Sequence, residues 1–292
     1  MDIDALLTRK KSLFEDFLET YLSHIQTNSG VVDAFSYSLS AGGKRIRPIL
    51  TMLACEAMGG TDSAALPAGL AIEMIHTFSL IHDDLPALDN DDLRRGRPTC
   101  HTKFGEATAI LAGDALIFQA LSLICSSAYT PDVKVDLCCA LSDVCGFRGL
   151  VQGEYEDVMA EGKDLDLMQI EEMYRKKTSR LFELCMYAGG RVISDDLPRI
   201  QALKTYGTNI GLAFQAIDDI LDVTSSDTTL GKTSGKDIVQ DKATIVKALG
   251  IEQAREWATL STEKAIEALT NSNLNRIVEL KELASWMLKR VM

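Results

Sequence analysis

Proline is scarce in this chain of 292 residues: six prolines, at positions 48, 67, 86, 98, 131 and 198, leave 132–197 and 199–292 free of the strongest helix breaker. Long helices are permitted there. Histidine is scarcer still, with four residues (His24, His76, His82, His101) in neither HExxH nor zinc-finger spacing, and the seven cysteines contain no CxxC pair. A Cys/His zinc site and a disulfide framework are therefore not expected, and the cysteines read as reduced core residues. Positive charge is in deficit, 30 Lys+Arg against 42 Asp+Glu for a net −12, which argues against nucleic acid or anionic lipid as a partner. An anionic ligand would have to be held by a local cluster or by metal ions. No unbroken run of 18 apolar residues occurs, and the Met-Asp-Ile-Asp start is acidic where an export signal is basic. The expectation is no membrane span, no export signal and a cytoplasmic location.

What is present is helical patterning. Leu6, Leu7, Leu13, Phe14, Phe17, Leu18, Tyr21 and Leu22 recur at three- and four-residue spacing, and similar patterns run through 48–58, 68–82, 105–126, 166–188, 200–222 and 251–291. Period-two strands are hard to find. Breaks fall at Thr27–Gly30, Ala41–Lys44, Gly59–Ser63, Asn90–Thr99, Ala160–Asp164, Gly189–Pro198 and Ser225–Asp237, none with the composition of an interdomain linker. The pattern predicts one all-α domain over 1–292, built of roughly ten helices.

Two acidic clusters stand out against this background. Asp83, Asp84, Asp89, Asp91 and Asp92 place five carboxylates in ten positions directly after an apolar helical run, and Asp218, Asp219 and Asp222 follow the apolar run from Ile210 to Ile217. Carboxylates rarely sit among core positions unless paired or bound to metal. Asp218 and Asp222 lie about 40° apart on one helical face. Asp83 and Asp89 would be about 120° apart on an ideal helix, so Pro86 is expected to end the helix and let the following turn carry Asp89 back. Two facing carboxylate clusters repel unless cations intervene, and an oxygen-only donor set without His or Cys suits Mg²⁺, with Mn²⁺ as a substitute. Such open sites complete their coordination with substrate phosphates.

Cationic residues flank the acids. Gly42-Gly43-Lys44-Arg45-Ile46-Arg47-Pro48, Arg94-Arg95-Gly96-Arg97 and Lys176-Lys177-Thr178-Ser179-Arg180 could, with metals, clamp a diphosphate. Gly231-Lys232-Thr233 imitates the tail of a phosphate-binding P-loop, but Ser226 stands where its glycine is required, and a helix precedes it in place of a strand.

Taken together, the GGKRIRP segment, the DDxxxxD pattern Asp83-Asp84…Asp89 with its continuation Leu93 to Thr99, Ala112-Gly113-Asp114-Ala115-Leu116, Lys177-Thr178 and Gln215 to Asp222 resemble the trans-isoprenyl diphosphate synthases, most nearly the bacterial farnesyl diphosphate synthases. The resemblance covers about 38 to 250. It implies an all-α barrel of helices around a deep cavity, a homodimer, and Mg²⁺ at three ions per active site. Carried onto this sequence, it assigns Lys44, Arg47, His76 and Arg95 to the diphosphate of isopentenyl diphosphate. It assigns Asp83, Asp84, Asp89, Asp218 and Asp222 to Mg²⁺ bridging the allylic diphosphate, and Arg94, Lys177, Lys232 and Lys242 to that diphosphate itself. Thr178 and Gln215 would line the site of the developing allylic cation. Ile245-Val246 stand where the family usually has Tyr-Pro, which departs from the local turn and not from the chemistry.

The implied reaction condenses isopentenyl diphosphate with dimethylallyl and geranyl diphosphate through an allylic carbocation, so water must be excluded and no side-chain nucleophile is needed. His82 then reads as a packing or orienting residue in place of a catalytic base. Phe78 and Ser79, five and four residues before Asp83, lie about 6–7.5 Å back along the helix and would form the floor that sets product length. An aromatic residue at 78 resembles the C15 (farnesyl) pattern; a C20 (geranylgeranyl) synthase is the alternative. A terpene cyclase disagrees with the all-aspartate second cluster, and a non-catalytic partner subunit of a prenyltransferase disagrees with two intact clusters.

Overall fold

A computed structural model describes residues 1–25, 29–224, 242–270 and 272–292. Lys232, with Gly231 and Thr233, lies outside the described residues, as does the predicted break at 225–237. The helices are α1 (Ile3–Ser23), α2 (Gly30–Leu39), α3 (Ile46–Ala57), α4 (Asp62–Asp83), α5 (Cys100–Phe104), α6 (Glu106–Ser126), α7 (Pro131–Cys145), α8 (Leu150–Ala160), α9 (Leu167–Tyr174), α10 (Arg180–Arg191), α11 (Leu197–Thr224), α12 (Ile245–Leu249), α13 (Ile251–Thr270) and α14 (Ile277–Leu288). Among the described residues the only strands are β1 (Leu93–Arg94) and β2 (Arg97–Pro98), one small antiparallel hairpin. The fold is all-α, as predicted. The sequence reading missed α2, α7 and α8, because each is short or leaves apolar side chains such as Val135, Val151 and Tyr155 in solvent and so lacks a clean apolar stripe.

α3 is buried on nearly every side and α4 on most of its length, which is the pattern of central helices. α4 packs against α3 and α6, α10 against α3 and α11, and α11 against α13. The buried apolar side chains form one continuous cluster from Phe14 to Val291. Pro67 lies inside α4 and removes one ladder bond. At the next rung the hydroxyl of Tyr129 accepts from the Ala68 N–H at 3.2 Å and donates to the Ala64 carbonyl at 2.7 Å. α4 begins at Asp62, inside the predicted break at Gly59–Ser63. The predicted helix over 166–188 is α9 and α10 joined by a π-helical turn, Arg175–Ser179.

α4 and α6 are each long and apolar enough to cross a membrane by length and composition. The core helix of a soluble bundle meets the same criterion, and 67% of that stretch of α4 is buried in the fold against 39% for α6. The exposed face of α6 carries Ile110, Leu111 and Phe118, the last 71% exposed.

Candidate active site

α4 ends in its own carboxylates: Asp83 is its last residue and Asp84 its C-cap. The chain turns at Pro86 and folds back, so that the Asp89 N–H donates to the Asp83 carbonyl at 2.8 Å and the Asp91 N–H to the Asp84 carbonyl at 3.1 Å. The return predicted from Pro86 is thus present in the backbone. Asp84 is committed to Arg94, whose Nε donates to both carboxylate oxygens at 2.8 and 2.9 Å while Nη2 lies 2.6 Å from Oδ1. This bidentate grip fixes the β1–β2 hairpin onto the end of α4.

Lys177 lies on the π turn, where Gly153 of α8 allows a close approach: a Cβ there would stand 2.3 Å from the Lys177 backbone nitrogen. Its ammonium sits 2.5 Å from Asp157 and 2.8 Å from Glu154. Lys242 lies 2.9 Å from Asp89 and 3.9 Å from Asp157. A chain of alternating charge therefore runs Glu154, Lys177, Asp157, Lys242, Asp89. Burial opposes the charge on Lys177, but Asp157 and Glu154 overcome it and hold the pKa well above the ordinary lysine value. The sequence reading missed Glu154 and Asp157; their only signal was an i, i+3 pair of acids on one helical face.

The second cluster is built on α11. Asp219 is buried and accepts from the Tyr174 hydroxyl, from Gln215 Nε2 at 2.9 Å and from the Ile245 N–H at 3.3 Å. Gln215 Oε1 in turn accepts from the Thr178 hydroxyl at 2.7 Å. Tyr174, Thr178, Gln215 and Asp219 thus tie the π turn, α11 and the start of α12 into one network. Asp222 is buried and Asp218 half-buried on the same helix.

A cationic cluster lies within electrostatic reach of Asp218. Arg47 stacks over the Phe182 ring at 5.0 Å, and its buried Nε has no hydrogen-bond partner. Lys44 and Arg47 both feel the charge of Asp218. Arg95, at a positive φ of 54°, donates to the Gly42 carbonyl and covers Gly43 so closely that a Cβ on Gly43 would be 2.6 Å from its guanidinium carbon. His76 is held neutral, its pKa driven well below the ordinary value by burial and then by Arg47 and Arg95. Arg45, between Lys44 and Arg47 in sequence, serves the frame instead, bonding Glu15 and Glu73 at 2.8 Å each and the Leu39 carbonyl at 2.7 Å.

Between α4 and α8 is a cavity of about 290 Å³ that begins at Asp83 and Glu154 and is lined by Phe78, Ser79, Leu150 and Val158. Phe78 is buried and meets the His82 ring edge-on at 5.4 Å. His82 Nε2 lies 3.1 Å from the Ile110 carbonyl, which can only accept, so the ring is held by α6 as an orienting group.

The residues fit a divalent cation. Burial, and then the neighbouring Glu154, push the Asp83 pKa up to about 8, which marks a carboxylate that would gain from positive charge. Asp89 is drawn the other way: burial works to raise it, and Lys242 outweighs burial and lowers it. All candidate ligands are oxygens. Among the described residues no three acidic, His or Cys side chains form a ready-made cage, so Mg²⁺ here would complete its shell with water and substrate phosphate.

The family model for polyprenyl synthetase matches residues 29–283. A farnesyl diphosphate synthase of Micrococcus luteus is 41% identical over 283 residues, covering 94% of this chain and 97% of that protein. The large subunit 1 of a heterodimeric chloroplastic geranylgeranyl pyrophosphate synthase of Arabidopsis thaliana is 44% identical over 88% of this chain and 71% of its own length. A Helicobacter pylori geranyltransferase, solved with magnesium and isoprenyl diphosphate, superposes with a TM-score of 0.87 at 30% identity, covering 99% of this chain and 97% of that one. The chain belongs to the polyprenyl synthetase family of trans-prenyltransferases.

Proposed function

We propose that this polyprenyl synthetase family member is a farnesyl diphosphate synthase that elongates dimethylallyl and geranyl diphosphate with isopentenyl diphosphate. The observation that carries the C15 reading is Phe78, a buried ring on the wall of a cavity that begins at Asp83. A C20 synthase is the second reading, favoured by the similarity to geranylgeranyl pyrophosphate synthases.

Asp83 and Asp89 on one side and Asp218 and Asp222 on the other would hold Mg²⁺. Bound there, Mg²⁺ withdraws charge from the allylic diphosphate and makes it a better leaving group. Lys177 and Lys242, already charged and fixed by Asp157, Glu154 and Asp89, add donors on the same diphosphate without reorganising. Arg94 is oriented by Asp84 toward the same place. Thr178 and Gln215, joined at 2.7 Å, present oxygens of partial negative charge to the allylic cation, and neither is a strong nucleophile. Lys44, Arg47, neutral His76 and Arg95 hold the isopentenyl diphosphate, the unpartnered Arg47 Nε being one donor awaiting an acceptor. The double bond attacks the cation and the departed diphosphate takes the proton. A homodimer and a cytoplasmic location belong to the same reading; the exposed Leu111 and Phe118 on α6 support a subunit interface.

The test is turnover with isopentenyl and dimethylallyl diphosphates, with and without Mg²⁺, resolving the dephosphorylated products by length. Mg²⁺-dependent C15 is expected, C20 would favour the second reading, and Phe78→Ala should lengthen the product. Unchanged C15 from active, folded Phe78→Ala removes Phe78 as the floor.

A further inference from the structure

The cavity that starts at Asp83 has a second wall. Tyr155 of α8 lines it, as Phe78 of α4 does, and the same Tyr155 lines a larger groove of about 590 Å³ between α8 and α9. No other described residue lines both. The groove is lined by the apolar Met159, Leu165, Met168 and Met173 together with Glu156 and Lys176. Three of the chain's ten methionines are gathered there. Methionine is unbranched and polarizable, and a surface made of it repacks around flexible hydrocarbon of varying length. Met168 is 82% exposed and Tyr155 60% exposed, a cost in apolar surface that marks a binding face when rimmed by polar residues.

Val151, Tyr155 and Met159 follow one another at i, i+4 and i+8, so they form a single stripe along α8. Val151 lines the inner cavity, Met159 the outer groove, and Tyr155 stands between them. Glu156 and Lys176, held together at 2.7 Å, neutralise each other within the groove's lining. A hydrocarbon chain whose diphosphate is held at Asp83 meets Phe78 along α4 and Tyr155 along α8.

Resting on the prenyltransferase reading, we propose that the methionine groove is a second binding site for the distal isoprenoid hydrocarbon of a prenyl diphosphate, and that Tyr155 is the wall deciding whether the chain enters it. Product length is then set by two walls in different directions, Phe78 toward the start of α4 and Tyr155 toward the groove.

The two routes separate by double substitution. Tyr155→Ala, and Tyr155→Leu as a milder second variant at this exposed position, should move the main product up by at least one C5 unit. Adding Met168→Lys should return the Tyr155→Ala product to the wild-type length and leave the longer product of Phe78→Ala unchanged. Wild-type product lengths from folded, active Tyr155 variants would overturn the proposal, as would loss of the Phe78→Ala extension on adding Met168→Lys. A second measurement reads occupancy without turnover: a C20 prenyl thiolodiphosphate with a terminal benzophenone is photo-crosslinked and the labelled peptides mapped. Labelling of Met159 or Met168 in Tyr155→Ala is expected, and labelling confined to α4 in both proteins overturns the proposal. Groove labelling by a protein that forms no elongated product would leave the second site standing and sink the prenyltransferase reading instead.

Discussion

The two aspartate clusters are assembled from opposite materials and divide their labour in the same way. The first is a turn after a helix end, closed by backbone bonds from Asp89 and Asp91 back to Asp83 and Asp84. The second is uninterrupted helix within α11. In each, one carboxylate is committed to holding the architecture: Asp84 grips Arg94, and Asp219 anchors Tyr174, Gln215 and the α12 start. Asp83 and Asp89 in the first cluster and Asp218 and Asp222 in the second are the acids we propose as metal ligands. The difference is electrostatic: burial, and then Glu154, raise the Asp83 pKa to about 8, whereas Lys44 and Arg47 lie within reach of Asp218. A buried carboxylate beside a second acid has most to gain from a metal, even with Lys177 and Arg94 near it.

This division breaks most visibly in Asp83→Asn and Asp218→Asn, each of which should lower kcat by about 10³-fold or more in Mg²⁺ assays while leaving the melting temperature near that of the parent. Wild-type turnover in either would dissolve the comparison. Asp219→Ala is the structural counterpart: leaving the Tyr174 hydroxyl and the Gln215 amide without their acceptor should cost about 1–3 kcal/mol, seen as a melting temperature lowered by several degrees.

The pH dependence is smaller and its sign is fixed by Asp83. With a folded pKa of about 8 against 3.8 in the unfolded chain, the metal-free fold holds an extra proton between those values, so its stability falls as pH rises through that window. Mg²⁺ must displace this proton, so half-saturating Mg²⁺ should fall up to about tenfold per pH unit below 8 and level off above it, as titration calorimetry at stepped pH would show. Glu154→Gln gives the finest adjustment: with the neighbouring charge removed, the midpoint of that profile should move to lower pH, and an unmoved midpoint would mean burial alone sets it.

Much of this was legible before any fold was known. The helical spacing predicted the long elements, and Pro86 predicted that Asp89 would return to Asp83. Within Lys44-Arg45-Ile46-Arg47, however, nothing in the sequence separated Arg45 from its neighbours. The left-handed backbone at Arg45, φ 54°, turns its guanidinium to Glu15 and Glu73, contacts 30 and 28 residues away. Glu154 and Asp157 were equally silent, because their partner Lys177 is supplied by a π turn that α8 reaches only through Gly153.

By itself the sequence determined the all-helical class, the two acidic clusters and the cations around them, since residue type and period act locally and are read without a partner. Tertiary structure decided which of those charges hold the frame, as Arg45 and Asp84 do, and which line the proposed site. It also fixed that Asp83 is the reluctant anion and that Tyr155 separates cavity from groove. Those outcomes depend on burial and on charges brought together from distant segments, and neither quantity exists until the chain has folded.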